Sequence, residues 1–538
     1  MLKLTGRWVV AGAAGSSVGW PADSQPRNPH GLVAGQATGA EIGNNVLRAG
    51  GNAIDAAVAA ALAACVAVPN GCGIGGYGGH MVIALAGSKK MLSIDFNSAA
   101  PATARPDMFP LDQRGTVPGR INEHGWLAAG VPGTLAGLQL ALDRYGTRSF
   151  REMVAPAIPL AEKGFPVTPG LAGAIRAVAA QLRKDSGSAK LLLKDGEPLR
   201  AGEKLRNPDL AKMLEKLARQ NSVEPFYRGD IARQIAAEFE KHGGLVTAKD
   251  MAQYQAHEVE PLGFAWRGFL VRTAPLTAGG LTVLQALSIL KALEWDKLPA
   301  SAARPHALVE ALRLAWFDRL QLLGDSENGT APVARLLSED YSRDTAARIK
   351  KTVADKRPLF LKPGSRPQSG TVHLNSADRH GNVVALTLTH GNTFGACVTV
   401  EGLGLTLGHG MSRFDPHPNH PNSPGPAKRP LHNMCPTIVL RNGGPVLALG
   451  ATGGRKIPNA MFGVLTRYVG LGDSVGDAVA APRLHTEGGL DLTLERAWPH
   501  AEAEALKTIG YTVSTGASAT VQALSCDSPD REYHAAAR

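Results

Sequence analysis

A chain of 538 residues with 44% hydrophobic side chains can fill the cores of two or three ordinary domains, and its 62 glycines and 36 prolines imply many turns. The formal charge of +11 raises nucleic acid as a partner, but there is no dense Lys/Arg run and no basic motif interleaved with aromatics, which are only 5% of the chain. A mildly basic enzyme that attracts small anions is the better reading, with no nucleic acid and no membrane as partner.

Residues 1–30 read as an irregular lead-in. Lys3 and Arg7 precede Trp8-Val9-Val10-Ala11-Gly12, an apolar run too short and too interrupted by glycine for a secretory signal, so a cytoplasmic protein is expected. From Gly35 to Gly50 the pattern is helical. Asn52 then reads as the N-cap of an alanine-rich helix over Ala53–Val68, apolar nearly all round and therefore buried. With Asp55 inside it, this helix is too short and too polar to span a membrane, and no other segment comes closer.

Gly71-Cys72-Gly73-Ile74-Gly75-Gly76 fits G-x-G-x-x-G, with Asp95 downstream. A dinucleotide site needs a strand before that motif and a helix after it. Here a helix precedes and a strand-like run, Met81–Ala86, follows, so the glycines are read as allowing close backbone packing. Helical periodicity covers 134–180 and 210–242. Pro305–Gly324 reads as an amphipathic helix, with Ala307, Leu308, Leu312, Ala315, Trp316 and Leu320 on one stripe.

Between Asp355 and Gly370 the prolines Pro358, Pro363 and Pro367 are too closely spaced for any regular element, and this loose cationic stretch runs straight into Thr371. Thr371–Ser376 and Asn382–Thr389 then read as a hairpin around Asp378-Arg379-His380-Gly381. Farther on, strands alternate with turns, and helical patterns return only at 459–469 and 501–509. Two blocks emerge, a helix-rich 1–370 and a strand-rich 371–538, with no internal repeat.

A threonine after a glycine at a strand start permits self-cleavage. Its hydroxyl attacks the Gly370 carbonyl, the acyl group shifts from N to O, and water removes it. The freed α-amine, with an ordinary pKa of about 7.7–8.0, then serves as base for the Thr371 hydroxyl. A buried strand-start threonine held by turn hydrogen bonds is the competing reading, and on Gly-Thr alone it is the stronger one. Elsewhere, His409, His417 and His420 would need rigid, near-tetrahedral placement to hold a metal. No Gly-x-Ser-x-Gly elbow supports serine catalysis. Five cysteines, Cys65, Cys72, Cys397, Cys435 and Cys526, are odd in number and lack Cys-x-x-Cys spacing, so no disulfide framework is expected.

Several ordered motifs carry more. They are Gly50-Gly51-Asn52-Ala53-Ile54-Asp55-Ala56-Ala57, Val131-Pro132-Gly133-Thr134, Gly243-Gly244-Leu245-Val246-Thr247, Ala278-Gly279-Gly280, Lys428-Arg429-Pro430 running into Met434-Cys435-Pro436-Thr437-Ile438-Val439, and Gly450-Ala451-Thr452-Gly453-Gly454. With them, the chain from Gly31 onward resembles the gamma-glutamyltransferase family of N-terminal nucleophile hydrolases. That resemblance implies an α/β (α+β) fold, a four-layer αββα sandwich. It implies cleavage between Gly370 and Thr371 into a large subunit, 1–370, and a small one, 371–538, which stay together as a heterodimer or in a higher oligomer. Thr371 is the implied nucleophile, Thr389 orients it, and the N–H groups of Gly453 and Gly454 form the oxyanion hole. No cofactor and no metal is implied. Family members are often exported, which leaves a periplasmic or secreted location open.

The implied substrate pocket departs from the family pattern. The family's Asp-Phe-Arg is Asp95-Phe96-Asn97, an aspartate before phenylalanine is Arg413 before Phe414, two serines are His432 and Asn433, and an asparagine is Gly391. An arginine where the family holds an ammonium would repel it, at several kcal/mol, and would welcome a carboxylate. Arg455, directly after the glycine pair, adds positive charge. The expectation is a small carboxylate-bearing amide without an α-ammonium, as in the family's oxamate amidohydrolase branch. The competing reading of Arg413 is drift, with the side chain turned to solvent. The alternative functions are a glutathione hydrolase or gamma-glutamyltransferase cleaving γ-glutamyl bonds, its pocket residues standing at other positions, and an unprocessed, non-catalytic binding protein on the same scaffold.

Overall fold

Strands rich in small and β-branched residues pair into two six-stranded sheets in a computed structural model that describes residues 29–299, 301–325, 331–361, 370–526 and 532–538. In chain order the strands are β1 (Gly31–Gly35), β2 (Gly78–Ala84), β3 (Met91–Asp95), β4 (His257–Val259), β5 (Leu262–Trp266) and β6 (Phe269–Thr273). After the segment that precedes Thr371 come β7 (Val372–Asp378), β8 (Val383–Thr389), β9 (Thr437–Arg441), β10 (Gly444–Thr452), β11 (Thr520–Ser525) and β12 (His534–Ala537). One sheet has the order β1-β7-β8-β2-β3-β4 and the other β12-β11-β10-β9-β6-β5, and all these pairings are antiparallel.

Every residue of β2, β7 and β8 is buried, as strands covered on both faces require. Between the sheets lie mostly small side chains, among them Ala34, Val82, Ala377, Ala385 and Ala448, which let the two layers approach closely. Outside the first sheet pack α1 (Ala37–Arg48) and α2 (Ala53–Ala67); outside the second pack α3 (Gly280–Leu293), α4 (Ala303–Leu322) and α5 (Lys456–Leu465). This is the four-layer αββα sandwich that the resemblance implies. Each sheet takes strands from both sides of Gly370, so the two sequence blocks form one body.

The Gly-Gly-Asn-Ala-Ile-Asp run is the capped start of α2. Asn52 Oδ1 accepts from the Ile54 and Asp55 N–H groups at 2.9 Å, and the Asp55 carboxylate accepts from the Asn52 N–H at 2.8 Å. Asp378, at the end of β7, accepts from the Ala53 N–H at 2.9 Å, fastening the buried helix to the central hairpin. The glycines that follow α2 serve packing. A Cβ at Gly73 would lie 2.5 Å from the His390 ring, and one at Gly75 would lie 2.7 Å from the Thr406 carbonyl oxygen.

Three expectations need correction. The helical pattern does not begin at Gly35, because Gly31–Gly35, between the lead-in and that pattern, is an edge strand paired with β7 along its whole length. The helical pattern over 134–180 is broken into Thr134–Tyr145, Phe150–Val154, Ala157–Lys163 and Pro169–Leu182. Helix α4 is not amphipathic at a surface, because Glu310, Arg313, Asp318 and Arg319 on its polar side are buried too. Glu310 pairs with Arg313 and accepts from Tyr511, and Gln285 donates to Asp318 at 2.6 Å, so these three charged side chains find partners inside the molecule. Among the described residues no helix is long and apolar enough to cross a membrane. Most of the lead-in, together with Pro363 and Pro367, lies outside the described residues.

Candidate active site

In the central hairpin, Val372 on β7 pairs with Leu388 on β8, which sets Thr371 beside Thr389, the last residue of β8. Their hydroxyl oxygens are 3.5 Å apart. Both hydroxyls donate to the Gly370 carbonyl oxygen, that of Thr371 at 2.6 Å. The Gly391 N–H donates to Thr389 Oγ1 at 2.7 Å, occupying its lone pair and leaving the hydroxyl proton for the carbonyl. Gly370 has φ +104°, and a Cβ there would meet the Asn392 backbone at 2.8 Å, so the residue before Thr371 has to be glycine. Thr371 therefore does bond a neighbouring carbonyl, as the purely structural reading expects, but that carbonyl belongs to the bond that cleavage would break.

Strand β10 faces this hairpin from the second sheet. The His373 ring fills the space above Gly450, where a Cβ would be 2.2 Å from the ring, and Ala377 shares the inter-sheet core with Ala448. The two strands thus run in opposite directions, and the end of β10 comes to the side of the sandwich where β7 begins. There the chain turns through Gly453 (φ +142°) and Gly454 (φ +62°) into α5. Backbone N–H groups at such a helix start carry the positive end of the helix dipole. His373 is locked by Thr387 at 2.8 Å and Asn375 at 3.0 Å, and burial pushes its pKa down to about 4, so it is neutral.

Arg413 is buried rather than turned to solvent. It ends a single helical turn, Gly410–Arg413, and its Nη2 donates to the Gly391 carbonyl, while Nε and Nη1 are buried without a hydrogen-bond partner. Burial pushes its pKa down to about 10, with Tyr77 opposing and Arg455 adding to the shift, so it stays charged at neutral pH. His409 lies against Gly391, where a Cβ would be 2.3 Å from its ring. Burial first, then the Arg413 charge, keeps His409 neutral. His417 instead pairs with Asp415 at 2.7 Å and His420 bonds the Leu320 carbonyl at 2.8 Å. Among the described residues no group of three His, Cys, Asp or Glu side chains is placed to hold a metal.

Asn97 is buried and donates to the Pro430 carbonyl at 2.9 Å and to Thr277; its neighbour Asp95 is taken by Arg429 at 2.9 Å. The His432 ring packs on Tyr77 at 4.7 Å between centroids. Its Nδ1 accepts from the Met434 N–H at 2.8 Å, and burial followed by Arg413 holds it well below the usual histidine range. Arg455 pairs with Glu487 at 2.8 Å. Burial would raise the Glu487 carboxyl, but the His485 hydrogen bond and the Arg455 charge hold it below the ordinary value.

One residue escaped the sequence reading. Arg319, on α4, is buried and donates to the His432 carbonyl, with Asn433 Oδ1 at 3.5 Å, and burial with the Arg455 charge pushes its pKa down to about 10. The sequence signal is weak: an adjacent Asp318-Arg319 pair among apolar neighbours reads as the solvated side of the helix. Among the described residues no carboxylate pairs with Arg413 or Arg319. These two guanidiniums therefore carry buried positive charge with no carboxylate beside it, and a bound anion would compensate it.

Comparison with known proteins agrees with this architecture. The chain matches the Gamma-glutamyltranspeptidase family over residues 39–537. It is 36% identical over 477 residues to a glutathione hydrolase proenzyme of Escherichia coli, covering 85% of this chain and 81% of that one. It is equally 36% identical over 478 residues to an acylase ACY 1 proenzyme of Pseudomonas sp., covering 88% and 85%. Among solved structures, a cephalosporin acylase from Bacillus halodurans superposes with a TM-score of 0.84 at 28% identity, covering 97% of this chain and 98% of that one. These relatives are hydrolases and acylases, which sets aside the non-catalytic binding reading. They give no support to oxamate and favour the glutathione hydrolase alternative. The chain belongs to the gamma-glutamyltranspeptidase family, enzymes of the N-terminal nucleophile hydrolase fold that act on amide or γ-glutamyl bonds.

Proposed function

We propose that this chain cuts itself between Gly370 and Thr371 and then uses Thr371 to hydrolyse an amide through an acyl-enzyme. The convergence of the Thr371 and Thr389 hydroxyls on the Gly370 carbonyl oxygen carries the reading. Thr371 Oγ attacks the Gly370 carbonyl carbon while Thr389, held by the Gly391 N–H, donates to the oxygen as negative charge builds there. The C–N bond breaks, its nitrogen becomes the α-amine of Thr371, and the acyl group rests as an ester on Oγ until water releases it. In turnover that amine takes the hydroxyl proton, Oγ attacks the substrate carbonyl, and the Gly453 and Gly454 N–H groups receive the oxyanion. The proton passes to the leaving amine and water hydrolyses the ester. The pieces 1–370 and 371–538 remain a heterodimer, a reading supported by the proenzyme names of the relatives.

For the substrate, those names favour a γ-glutamyl bond or another acyl amide. Arg413 favours a second reading within that class, an acyl group that keeps a carboxylate and lacks the α-ammonium. Its two unpartnered donors suit a carboxylate, and a like charge beside it costs several kcal/mol. Hydrolysis of γ-glutamyl-p-nitroanilide and glutaryl-p-nitroanilide, which differ only by the α-ammonium, separates the two. A higher kcat/KM for the γ-glutamyl compound supports the first reading, and about tenfold or more in favour of the glutaryl compound supports the second. Cleaved protein that turns over neither overturns both.

A further inference from the structure

Helix α5 links the glycine pair to a second feature of the molecule. At its far end it passes into one π-helical turn, Thr466–Leu471, a local widening that recurs at functional sites. This end opens on a cavity of about 240 Å³ lined by none of the residues placed in the Thr371 site. The volume falls below the roughly 300–1,000 Å³ of drug-sized pockets, so it suits a small molecule.

The cavity has an apolar body and a charged rim. Trp295, Pro305, Leu308, Phe462, Leu484 and Trp498 supply the apolar walls. Three guanidiniums, Arg304, Arg467 and Arg483, and one carboxylate, Glu502, also line it. The acids that pair with Arg467 and Arg483, namely Asp473 and Glu495, are outside the lining. Arg304 lies over the Trp295 ring and donates to the Asp296 and Leu298 carbonyls at 2.9 and 2.7 Å; among the described residues it makes no close ion pair, and its charge acts on Glu502 within the same lining. Thr466 Oγ1, Arg467 Nε and Arg483 Nε are buried without hydrogen-bond partners, groups that a polar ligand would satisfy. An apolar side chain, a carboxylate for the arginines and an ammonium for Glu502 together describe an α-amino acid with an aromatic or branched side chain.

A hydrogen-bond chain runs from this cavity to the active-site end. Asn459 lines the cavity, accepts from Trp316 Nε1, and donates to His485 Nδ1 at 2.7 Å and to the Thr486 carbonyl at 2.8 Å. With Nδ1 accepting, His485 Nε2 carries the proton and donates to Glu487 at 3.2 Å; Glu487 in turn pairs with Arg455, next to Gly454. We propose that the cavity is an effector site for an aromatic or branched-chain α-amino acid, coupled through Asn459, His485 and Glu487 to the Arg455 turn. Ligand binding itself is independent of the role given to Thr371; only the coupling rests on it.

Calorimetric titration of L-phenylalanine and L-leucine into the purified full-length protein tests the site. Gly463→Leu is the matched variant: Gly463 lines the cavity in a helical conformation, and a Cβ there makes only ordinary contact, 3.6 Å from Arg483. One equivalent per chain is expected in the wild type, weakened tenfold or more in Gly463→Leu and in the second variant Arg304→Gln. At saturation the amino acid shifts kcat/KM for anilide hydrolysis threefold or more in the wild type and not in Gly463→Leu. No saturable heat with either amino acid overturns the site, as does heat that survives Gly463→Leu and Arg304→Gln and so belongs to the Thr371 pocket. Saturable binding that leaves kcat/KM unchanged overturns the coupling.

Discussion

Thr371 and Thr389 reach the same carbonyl oxygen, but only Thr371 is bonded to the group it would attack. Replacing Thr389 with valine keeps the nucleophile and removes one donor where charge develops. Such losses cost about 10²–10³ in rate, so Thr389→Val accumulates uncleaved precursor while Thr389→Ser cleaves at near the wild-type rate, as a time course on denaturing gels reads out. Arg413 is the residue that would choose the acyl group. A hydrogen bond to a charged group is worth about 1.5–3 kcal/mol, so Arg413→Gln lowers kcat/KM for glutaryl-p-nitroanilide by roughly 10–100-fold. The γ-glutamyl anilide is spared by comparison, because losing the guanidinium also removes repulsion of its ammonium. An equal fall for both substrates would mean that Arg413 holds the pocket together without reading the acyl group.

At the scale of elements, the contact between β7 and β10 sets the site. Gly450→Ala drives a Cβ to within 2.2 Å of the His373 ring, an overpacking that costs about 1–3 kcal/mol. It lowers the urea midpoint, and combining it with His373→Ser, which clears the space, recovers part of the loss; strict additivity of the two changes would contradict the contact. The central hairpin, the capped start of α2 and the packing glycines were legible in the sequence because their signals are local: a tight turn, an Asn-x-x-Asp cap, runs of glycine. β1 was not, since five residues of Gly-Leu-Val-Ala-Gly become a strand only through pairing with Ala377 and its neighbours, more than 300 residues away. The burial of α4 was hidden for the same reason. Its acid Glu310 accepts from Tyr511, and its Arg319 donates to the His432 carbonyl, partners that no periodicity reveals.

Over the whole molecule, buried neutral histidines tie stability to pH. Burial pushes His373 and His306 down to about 4 and His390 to about 3. Below the ordinary value of about 6.5 the unfolded chain takes up protons that the folded one refuses, so stability falls as pH drops from about 6.5 toward 4. Each histidine contributes at most about 1.4 kcal/mol per pH unit, and urea midpoints at pH 7.5 and 5.0 should differ in that direction; equal midpoints would mean that these rings are charged in the fold. Both sheets draw strands from each side of Gly370, so a cleaved molecule keeps its core and its two pieces stay associated. Everything proposed for Thr371 then turns on whether the chain cuts itself there. The decisive measurement is intact-mass analysis of purified wild-type and Thr371→Ala protein. Self-cleavage by Thr371 gives two fragments from the wild type, the smaller beginning at Thr371, and one uncut 538-residue chain from the variant; an uncut wild type, or a variant cleaved at the same bond, would contradict it.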